Sequence, residues 1–216
     1  MNSPPLASPV ASPHAPPHAV ACLKDAAARS VWLVRRPGEE PRTLKTWPLT
    51  ASLILKLAVG QAQPQRQARM ARRLRAAGIP TPRVVRGPTV VRRGGRRLVE
   101  LELEHIEGEM PLDLLRSASS AAQVAAARAV GALLAQLVAA RFFNRDLKLS
   151  NVVIARDDAG GALRAWLLDP VGVRRMTSPR SQTARMLERL AVEPRAASIP
   201  IRRDVAREVI RAVARA

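Results

Sequence analysis

Short runs rich in apolar, β-prone residues occur in three pairs along the chain, and this pattern predicts three β-hairpins. Each pair consists of two β-prone runs separated by a short turn-forming sequence. The middle pair surrounds Gly94-Gly95, and its second run alternates with a period of two residues. The paired runs are residues 31–34 with 43–47, 89–93 with 96–104, and 152–155 with 165–168.

Other segments have the apolar spacing or the end signals of helices. An Arg- and Ala-rich segment, residues 65–77, has Met70 and Leu74 at i, i+4 spacing and stops at Gly78, with two prolines beyond. Residues 120–141 follow serine caps and are mostly apolar, which predicts a long buried helix. Further helices are predicted at residues 111–115, 183–190 and 204–215.

The first part of the chain lacks the charged head and apolar run of a signal peptide. Residues 1–22 contain neither Lys nor Arg and are interrupted by prolines, so we expect a disordered tail. The alternative at its end is a first strand contributed by Ala19–Leu23. The longest apolar stretch, Leu49–Val59, contains Lys56 and is too short to span a bilayer. Any membrane contact is therefore expected to be peripheral.

The order of elements predicts the fold class. A chain of 216 residues can bury one substantial core or two small lobes packed on each other. Strands with one helix come first, and a mainly helical part follows, which is typical of an α+β fold. We place the β-rich part at residues 23–104 and the helical part at residues 105–216.

The charge of the chain limits its partners. Against 17 acidic residues there are 36 basic ones, and the net charge of +19 favours anionic partners such as nucleotides, nucleic acids and anionic lipids. Because nearly all of these basic residues are Arg, a compositional bias remains an equal alternative to a dedicated polyanion surface. Aromatic residues make up only 2% of the chain, which disfavours stacking of single-stranded nucleic acid. Cys22 is the only cysteine, which fits a reducing, cytoplasmic setting.

One short run combines the residue types that phosphoryl transfer requires. It extends from Phe142 to Ile154, contains Asp146 and Asn151, and is followed by Asp169 at the end of the third hairpin. Transfer of a phosphoryl group from ATP needs a carboxylate at the acceptor hydroxyl and oxygen ligands for Mg²⁺. The hairpin is expected to bring Asn151 and Asp169 to the same end, close to Asp146.

This run resembles the catalytic loop of the protein-kinase-like superfamily. The chain is most similar to the bacterial lipopolysaccharide kinases that phosphorylate inner-core sugars, the Kdo/heptose kinase group, over about residues 31–173. The resemblance rests on the order of Leu44-Lys45, Leu74 to Pro82, the hinge-like Glu104 to Gly108, and the loop with Asp169. It implies a protein-kinase-like two-lobed fold, with a small β-rich N-lobe containing one helix and a reduced, mainly helical C-lobe.

The resemblance also implies roles for individual residues. Asp146 would orient the acceptor hydroxyl and accept its proton, and Lys148 would lie near the transferred phosphoryl group. Asn151 and Asp169 would bind Mg²⁺ that bridges the ATP phosphates. The strand lysine that binds the α- and β-phosphates would be Lys45, with Lys56 as the alternative. The other implied cofactor-binding positions are Gln67, Glu104 and Ile106.

Several features depart from the pattern of active relatives. Those enzymes pair the strand lysine with a helix glutamate, whereas Gln67 stands at about this position here. No Asp or Glu occurs between Pro41 and Val99, so no shift of register restores the ion pair. Nothing between Ala21 and Val34 has the closely spaced glycines of a phosphate-binding loop. Asn144 replaces the usual histidine of the loop, where an amide can also bond the backbone.

These observations lead to one main hypothesis and two alternatives. The main one is an ATP- and Mg²⁺-dependent kinase that transfers the γ-phosphoryl group to a hydroxyl, as of a lipopolysaccharide core sugar or a similar anionic glycolipid. We expect such an enzyme in the cytoplasm, with peripheral contact at the inner membrane face. The alternatives are a catalytically silent pseudokinase that serves as a scaffold and, with less support, a nucleic-acid-associated atypical kinase. The acceptor and the oligomeric state cannot be deduced from these residues.

Overall fold

The computed structural model describes residues 15–156 and 161–215, and these form two compact units. The first unit comprises the described residues up to Arg72 together with Arg83–His105. The second comprises Arg73–Pro82 together with the described residues from Ile106 onward. The first is built on a β-sheet and the second mainly on helices, which agrees with the predicted α+β class.

The first unit contains an antiparallel sheet of five strands in the order β1-β2-β3-β5-β4. The first predicted hairpin is confirmed, since Trp32 pairs with Leu44. The second is also confirmed, because Arg93 pairs with Arg96 across two glycines that both have positive φ, 50° and 76°. The strands are β1 (Ala19–Ala26), β2 (Arg29–Val34), β3 (Arg42–Pro48), β4 (Val84–Arg93) and β5 (Arg96–Glu104).

The prediction of a disordered tail over residues 1–22 is wrong for its last four residues. Residues 19–22 belong to β1, where Cys22 pairs with Trp32, so the alternative of a first strand at Ala19–Leu23 is the one that the structure confirms. The prolines end at Pro17, and the residues beyond it pack partly against the core cluster that includes Trp32. Burial of this apolar edge explains why the segment is ordered. The part of the predicted tail before residue 15 lies outside the described residues.

Two helices flank this sheet, α1 (Ala51–Ala58) and α2 (Gln63–Ala76), where the sequence resemblance implies only one. Thr50 begins α1 by accepting a hydrogen bond from the N–H of Leu53 at 3.2 Å. Leu53 and Leu57, one turn apart, pack on a buried cluster to which Ala68 of α2 also belongs. The sequence pattern predicts α2 correctly. The chain changes direction after this helix at Gly78, which has a φ of 75°.

Two buried acids of β5 are neutralised by arginines. Glu100 accepts hydrogen bonds from Arg93, and Glu102 accepts two from Arg36 at 2.6 and 3.1 Å. Burial by itself raises the pKa of Glu102, but the bonds and charge of Arg36, aided by Arg86, outweigh it, so the pKa lies below its ordinary value. Some of the excess arginines of the chain therefore neutralise buried carboxylates.

The second unit surrounds one long helix. The helices are α3 (Pro111–Ser117), α4 (Ser120–Ala139), α5 (Pro179–Ala196) and α6 (Arg203–Ala214). Two small antiparallel pairs join β6 (Phe142–Asn144) to β9 (Val173–Arg175) and β7 (Val152–Arg156) to β8 (Leu163–Leu167). The β7–β8 pair confirms the third predicted hairpin, whose turn at residues 157–160 lies outside the described residues.

Helix α4 is long and apolar enough to cross a membrane by length and composition, and it is the one such helix in the described part of the chain. Its surroundings show a different role, because α6, β8 and α3 pack against it and leucines such as Leu134 and Leu137 are fully buried. The prediction of a long buried helix is therefore confirmed, and its apolar character is that of a core helix.

Helices α4 and α6 approach each other closely at Gly131. A Cβ atom at this position would lie 2.8 Å from Cβ of Ala212 and 3.1 Å from Cα of Val209. We expect Gly131→Val to lower the free energy of unfolding by about 1–3 kcal/mol, because the helices must separate to admit it. Ala132→Val, exposed on the same helix, is the matched control and should cost less than about 1 kcal/mol. Urea unfolding measures both, and equal losses would contradict the close approach.

Candidate active site

The loop after β6 is shaped by the buried side chain of Asn144. This residue pairs with Val173 of β9, and its Oδ1 accepts a hydrogen bond from the N–H of Asp146 at 3.0 Å. Its own N–H is directed at the sulfur of Met186 on α5, at 3.3 Å. The asparagine thus bonds the loop backbone, as the sequence predicts for a residue in the usual histidine position.

The carboxylate of Asp146 is half-exposed and has two cations nearby. Its Oδ2 lies 3.9 Å from Nη2 of the neighbouring Arg145, and its Oδ1 lies 3.6 Å from Nη2 of Arg189 on α5. Both distances exceed those of direct hydrogen bonds, so the carboxylate keeps oxygen atoms that can accept from a hydroxyl. Sequence reasoning missed Arg189, because no local pattern indicates that α5 reaches this loop.

Asn151 and Asp169 lie at the same end of the β7–β8 hairpin, as predicted. Val152 pairs with Leu167, and the carbonyl oxygen of Asn151 accepts a hydrogen bond from the N–H of Leu168 at 2.8 Å. The side-chain Nδ2 of Asn151 donates to the carbonyl oxygen of Asp146 at 3.0 Å. Hydrogen bonds therefore link Asn151 both to the backbone of Asp146 and to Leu168, the residue before Asp169.

The donor chemistry of this pair fits Mg²⁺. Since the amide nitrogen of Asn151 bonds the loop, the amide oxygen is the atom that can coordinate a cation, beside the carboxylate of Asp169. Magnesium prefers such hard oxygen ligands, and it takes its remaining ligands from water and nucleotide phosphates. In the described ranges there is no group of three His, Cys, Asp or Glu side chains that could hold a metal ion without such help.

Gly172 is a further residue of this site that the sequence does not identify. Its carbonyl oxygen accepts a hydrogen bond from the N–H of Arg145 at 3.2 Å. A Cβ atom at Gly172 would lie 3.0 Å from Oδ1 of Asn144 and 3.1 Å from Oδ2 of Asp146. A side chain at this position would therefore crowd Asn144 and Asp146, so the glycine allows the segment after Asp169 to lie close to the loop.

Glu193 on α5 supports the loop at Ser150, the residue before Asn151. Both of its carboxylate oxygens bond Ser150, one accepting from the backbone N–H at 2.8 Å and the other from the hydroxyl. Together with Met186 and Arg189 this residue forms a stripe along α5, at spacings of one turn, that contacts the loop at three points. The helix that follows β9 therefore positions the loop, a role that the sequence pattern does not reveal.

Removing the Glu193 carboxylate should disturb the site without unfolding the protein. For the Mg²⁺-dependent phosphoryl transfer that the sequence resemblance implies, we expect Glu193→Ala to lower the rate about tenfold and to raise the Mg²⁺ concentration needed for half-maximal rate, because Ser150 adjoins Asn151. Glu188→Ala, an exposed glutamate of the same helix, is the control. Glu193→Gln keeps one acceptor for Ser150 and should recover part of the rate. Equal rates for both alanine variants would exclude the positioning role.

The predicted phosphate-binding residues lie in the first unit. Lys45 is buried in the sheet on β3, and Gln67 is fully buried on α2. The alternative lysine, Lys56, is exposed on α1. The alternative of Lys56 as the strand lysine is wrong, because Lys56 lies on a helix whose Leu53 and Leu57 pack on the core at helical spacing. Phosphate binding by Lys45, and the part of Gln67 in it, remain predictions.

The hinge-like segment begins at the end of β5. Glu104 accepts a hydrogen bond from the N–H of Arg83 at 2.9 Å, so its side chain closes the β4–β5 pair. Ile106, at the start of the second unit, is half-buried. A Cβ atom at Gly108 would overlap the carbonyl oxygen of Ile154, which explains the glycine. Nucleotide contacts of Glu104 and Ile106 remain predictions.

The segment Pro80-Thr81-Pro82 bonds the strand that leads to Asp169. The N–H of Leu167 donates to the carbonyl oxygen of Pro80 at 3.0 Å. The hydroxyl of Thr81 donates to the carbonyl oxygen of Leu167 at 2.7 Å. Thr81 is fully buried. The segment therefore supports β8 just before Asp169, the predicted metal-binding residue.

Comparisons with known proteins place these features in a family. A model of the lipopolysaccharide kinase (Kdo/WaaP) family matches residues 49–210. A solved structure, WaaP in complex with acyl carrier protein, is similar with a TM-score of 0.57 and 16% sequence identity, over 90% of this chain and 78% of that chain. No curated protein sequence matches. At this identity the structural likeness shows the fold alone.

The fold is that of the protein-kinase-like phosphotransferases, with a β-sheet unit and a helical unit that contains the loop. Within this class, the chain belongs to the lipopolysaccharide kinase (Kdo/WaaP) family, because the family model covers most of its length.

Proposed function

We propose that the protein is a kinase that uses ATP and Mg²⁺. The observation that supports this most is the hydrogen-bonded arrangement of Asp146, Asn151 and the hairpin end at Asp169. In this proposal Asp146 accepts the proton of the acceptor hydroxyl as it attacks the γ-phosphorus. Asn151 and Asp169 would hold Mg²⁺, which supplies charge neutralisation for the phosphates. Lys148 is the proposed cation near the transferred group.

The acceptor that we propose is a sugar hydroxyl of a lipopolysaccharide core or a similar glycolipid. Family membership supports this class of acceptor. The net charge of +19 favours an anionic acceptor, because oppositely charged partners are attracted over about the Debye length. Such an acceptor is anchored in a bilayer, so the enzyme would act in the cytoplasm at the inner membrane face.

The proposed function is tested by ATP turnover with a panel of glycolipid, free sugar and protein acceptors. Turnover that requires Mg²⁺ and a glycolipid acceptor is the expected result. Turnover only with proteins would contradict the proposed acceptor, whereas no turnover with any acceptor would favour the second candidate.

The second candidate is a pseudokinase that binds partners without transferring phosphate. The feature that favours it is Gln67, which is buried on α2 where active relatives have a glutamate. A neutral amide constrains a lysine less strongly than a carboxylate does. In thermal unfolding, the absence of any response to ATP and Mg²⁺ would favour this candidate, whereas magnesium-dependent stabilisation by ATP would support a working nucleotide site.

We also propose an acyl carrier protein as a partner, since the similar WaaP structure contains one. The second unit has an apolar cavity of about 190 Å³ among its helices, and its walls are aliphatic enough to receive an acyl chain. Co-elution with acyl-loaded carrier protein, and weaker co-elution with the unloaded form, is the expected result. The cavity is lined by residues including Leu114, Leu115, Val130, Leu190, Val205 and Ile210.

A further inference from the structure

Helix α1 exposes apolar side chains on the face turned away from the sheet. Leu53 and Leu57 pack on the core, but none of the residues of the helix is fully buried. On the outer face Ile54 is 48% exposed, Leu55 is 68% exposed, and Val59, which caps the helix, is 61% exposed. Leu55 is the most exposed large apolar residue in the described part of the chain.

The grouping of these residues requires an explanation. Single exposed apolar residues are ordinary on protein surfaces, but two on one short helix and a third at its C-cap are grouped as in surfaces that contact a partner. Burial of Leu53 and Leu57 would fix the helix on the sheet even if the outer face were polar. The outer apolar residues are therefore not needed to hold α1 in place.

The surroundings of α1 are basic. Lys56 is exposed on the helix itself, and Arg69 of α2 lies at its end, where Nη1 donates to the carbonyl oxygen of Gly60 at 3.3 Å. At the beginning of the helix, the carbonyl oxygen of the exposed Arg97 accepts from the N–H of Leu49 at 2.9 Å.

No acidic residue occurs in the sequence from Pro41 to Val99, which contains α1 and all of these cations. An apolar patch between cations, without acids in the same stretch, has the chemistry of a surface that binds an anionic bilayer.

We propose that the outer face of α1 is a membrane-binding surface. Ile54, Leu55 and Val59 enter the interfacial region of the bilayer, while Lys56, Arg69 and Arg97 contact anionic headgroups. This inference deepens the proposed function, on which it rests for the expectation that the acceptor is bilayer-anchored. It names the part of the enzyme that meets the membrane.

Binding to lipid vesicles tests the surface directly. The full-length protein is sedimented with vesicles of phosphatidylcholine containing phosphatidylglycerol, and with vesicles of phosphatidylcholine alone. We expect binding to the anionic vesicles that is weakened, but not abolished, by high salt, because only the electrostatic part is screened. Leu55→Ser/Val59→Ser should raise the lipid concentration for half-maximal binding about tenfold.

The matched control also replaces two exposed apolar residues by Ser, but outside α1. Val90→Ser/Val192→Ser alters residues that are 46% and 41% exposed and lie outside α1, and this variant should bind like the wild type. Equal binding of both double variants would overturn the proposal. Binding to RNA that exceeds binding to vesicles, or a dimer in sedimentation velocity that Leu55→Ser/Val59→Ser dissociates, would also overturn it by identifying a different occupant.

A readout of depth separates insertion from adsorption. Brominated lipids should quench the tryptophan fluorescence of Leu55→Trp more strongly than that of the wild type, in which Trp32 and Trp47 are buried. Unchanged quenching would contradict insertion. Vesicle binding does not require turnover, so an inactive protein that binds through α1 would refute the proposed kinase function alone. An active enzyme that binds vesicles independently of α1 would refute this inference alone.

Discussion

Replacement of Asp146 by Asn is expected to abolish phosphoryl transfer, with a loss of at least about a thousandfold. Asparagine retains the shape of the side chain but cannot accept a proton from the acceptor hydroxyl. The fold should survive, because the two cations near the carboxylate, Arg145 and Arg189, lie 3.9 and 3.6 Å away in a half-exposed setting where ion pairs contribute little.

The measurement is single-turnover transfer from ATP to the best glycolipid acceptor, accompanied by thermal unfolding of each variant. Asp113→Asn alters an exposed aspartate of α3 and serves as the matched control, with a rate expected to equal that of the wild type. Wild-type turnover by folded Asp146→Asn would show that another group accepts the proton, and the proposed mechanism would then be wrong.

Replacement of Asp169 by Ala is expected to remove Mg²⁺-dependent stabilisation by ATP. At a hundredfold excess over its dissociation constant, a ligand stabilises the folded state by about 2.7 kcal/mol. For a chain of this size, that raises the unfolding midpoint by roughly 5–10 °C. Without the carboxylate, the amide of Asn151 alone cannot retain the ion, so the shift should be lost.

Thermal unfolding with ATP, with and without Mg²⁺, measures this effect. Asp169→Asn keeps the side-chain volume and should lose the shift as well, which separates a metal-binding role from a role in folding. Asp113→Ala should respond like the wild type. A full shift in Asp169→Asn would contradict the assigned metal ligand, and no shift in the wild type would favour the pseudokinase candidate.

The hairpins and long helices follow from the sequence because their signals are local. The glycine pair at Gly94-Gly95 determines where β4 turns into β5, and the period-two pattern then pairs the strands. The long apolar helix and the hairpin that ends near Asp169 were predictable in the same way. The family was predictable from the order of the strand with Lys45, the segment from Leu74 to Pro82, the hinge-like segment and the loop with Asp169.

One prediction, the end of the disordered tail, and one alternative, Lys56 as the strand lysine, failed where local signals were ambiguous. A short apolar run such as residues 53–57 fits a strand as well as a helix, and only packing of Leu53 and Leu57 on the sheet favours the helix. The first strand was missed because it follows a proline-rich segment directly, and because Ala19–Ala26 is held by pairing with β2 and by packing on the cluster that includes Trp32. Such pairing is invisible in the segment itself.

What the sequence determined by itself is the set of chemical groups and the elements on which they lie. It identified the loop with Asp146, the asparagine and aspartate that suit Mg²⁺, and the α+β order, since each depends on residues close together in the chain. Only the tertiary structure decided what supports them, because Arg189 and Glu193 of α5 reach the loop through packing between distant segments. The same packing leaves the outer face of α1 exposed, since its inner leucines are sufficient to attach the helix to the sheet.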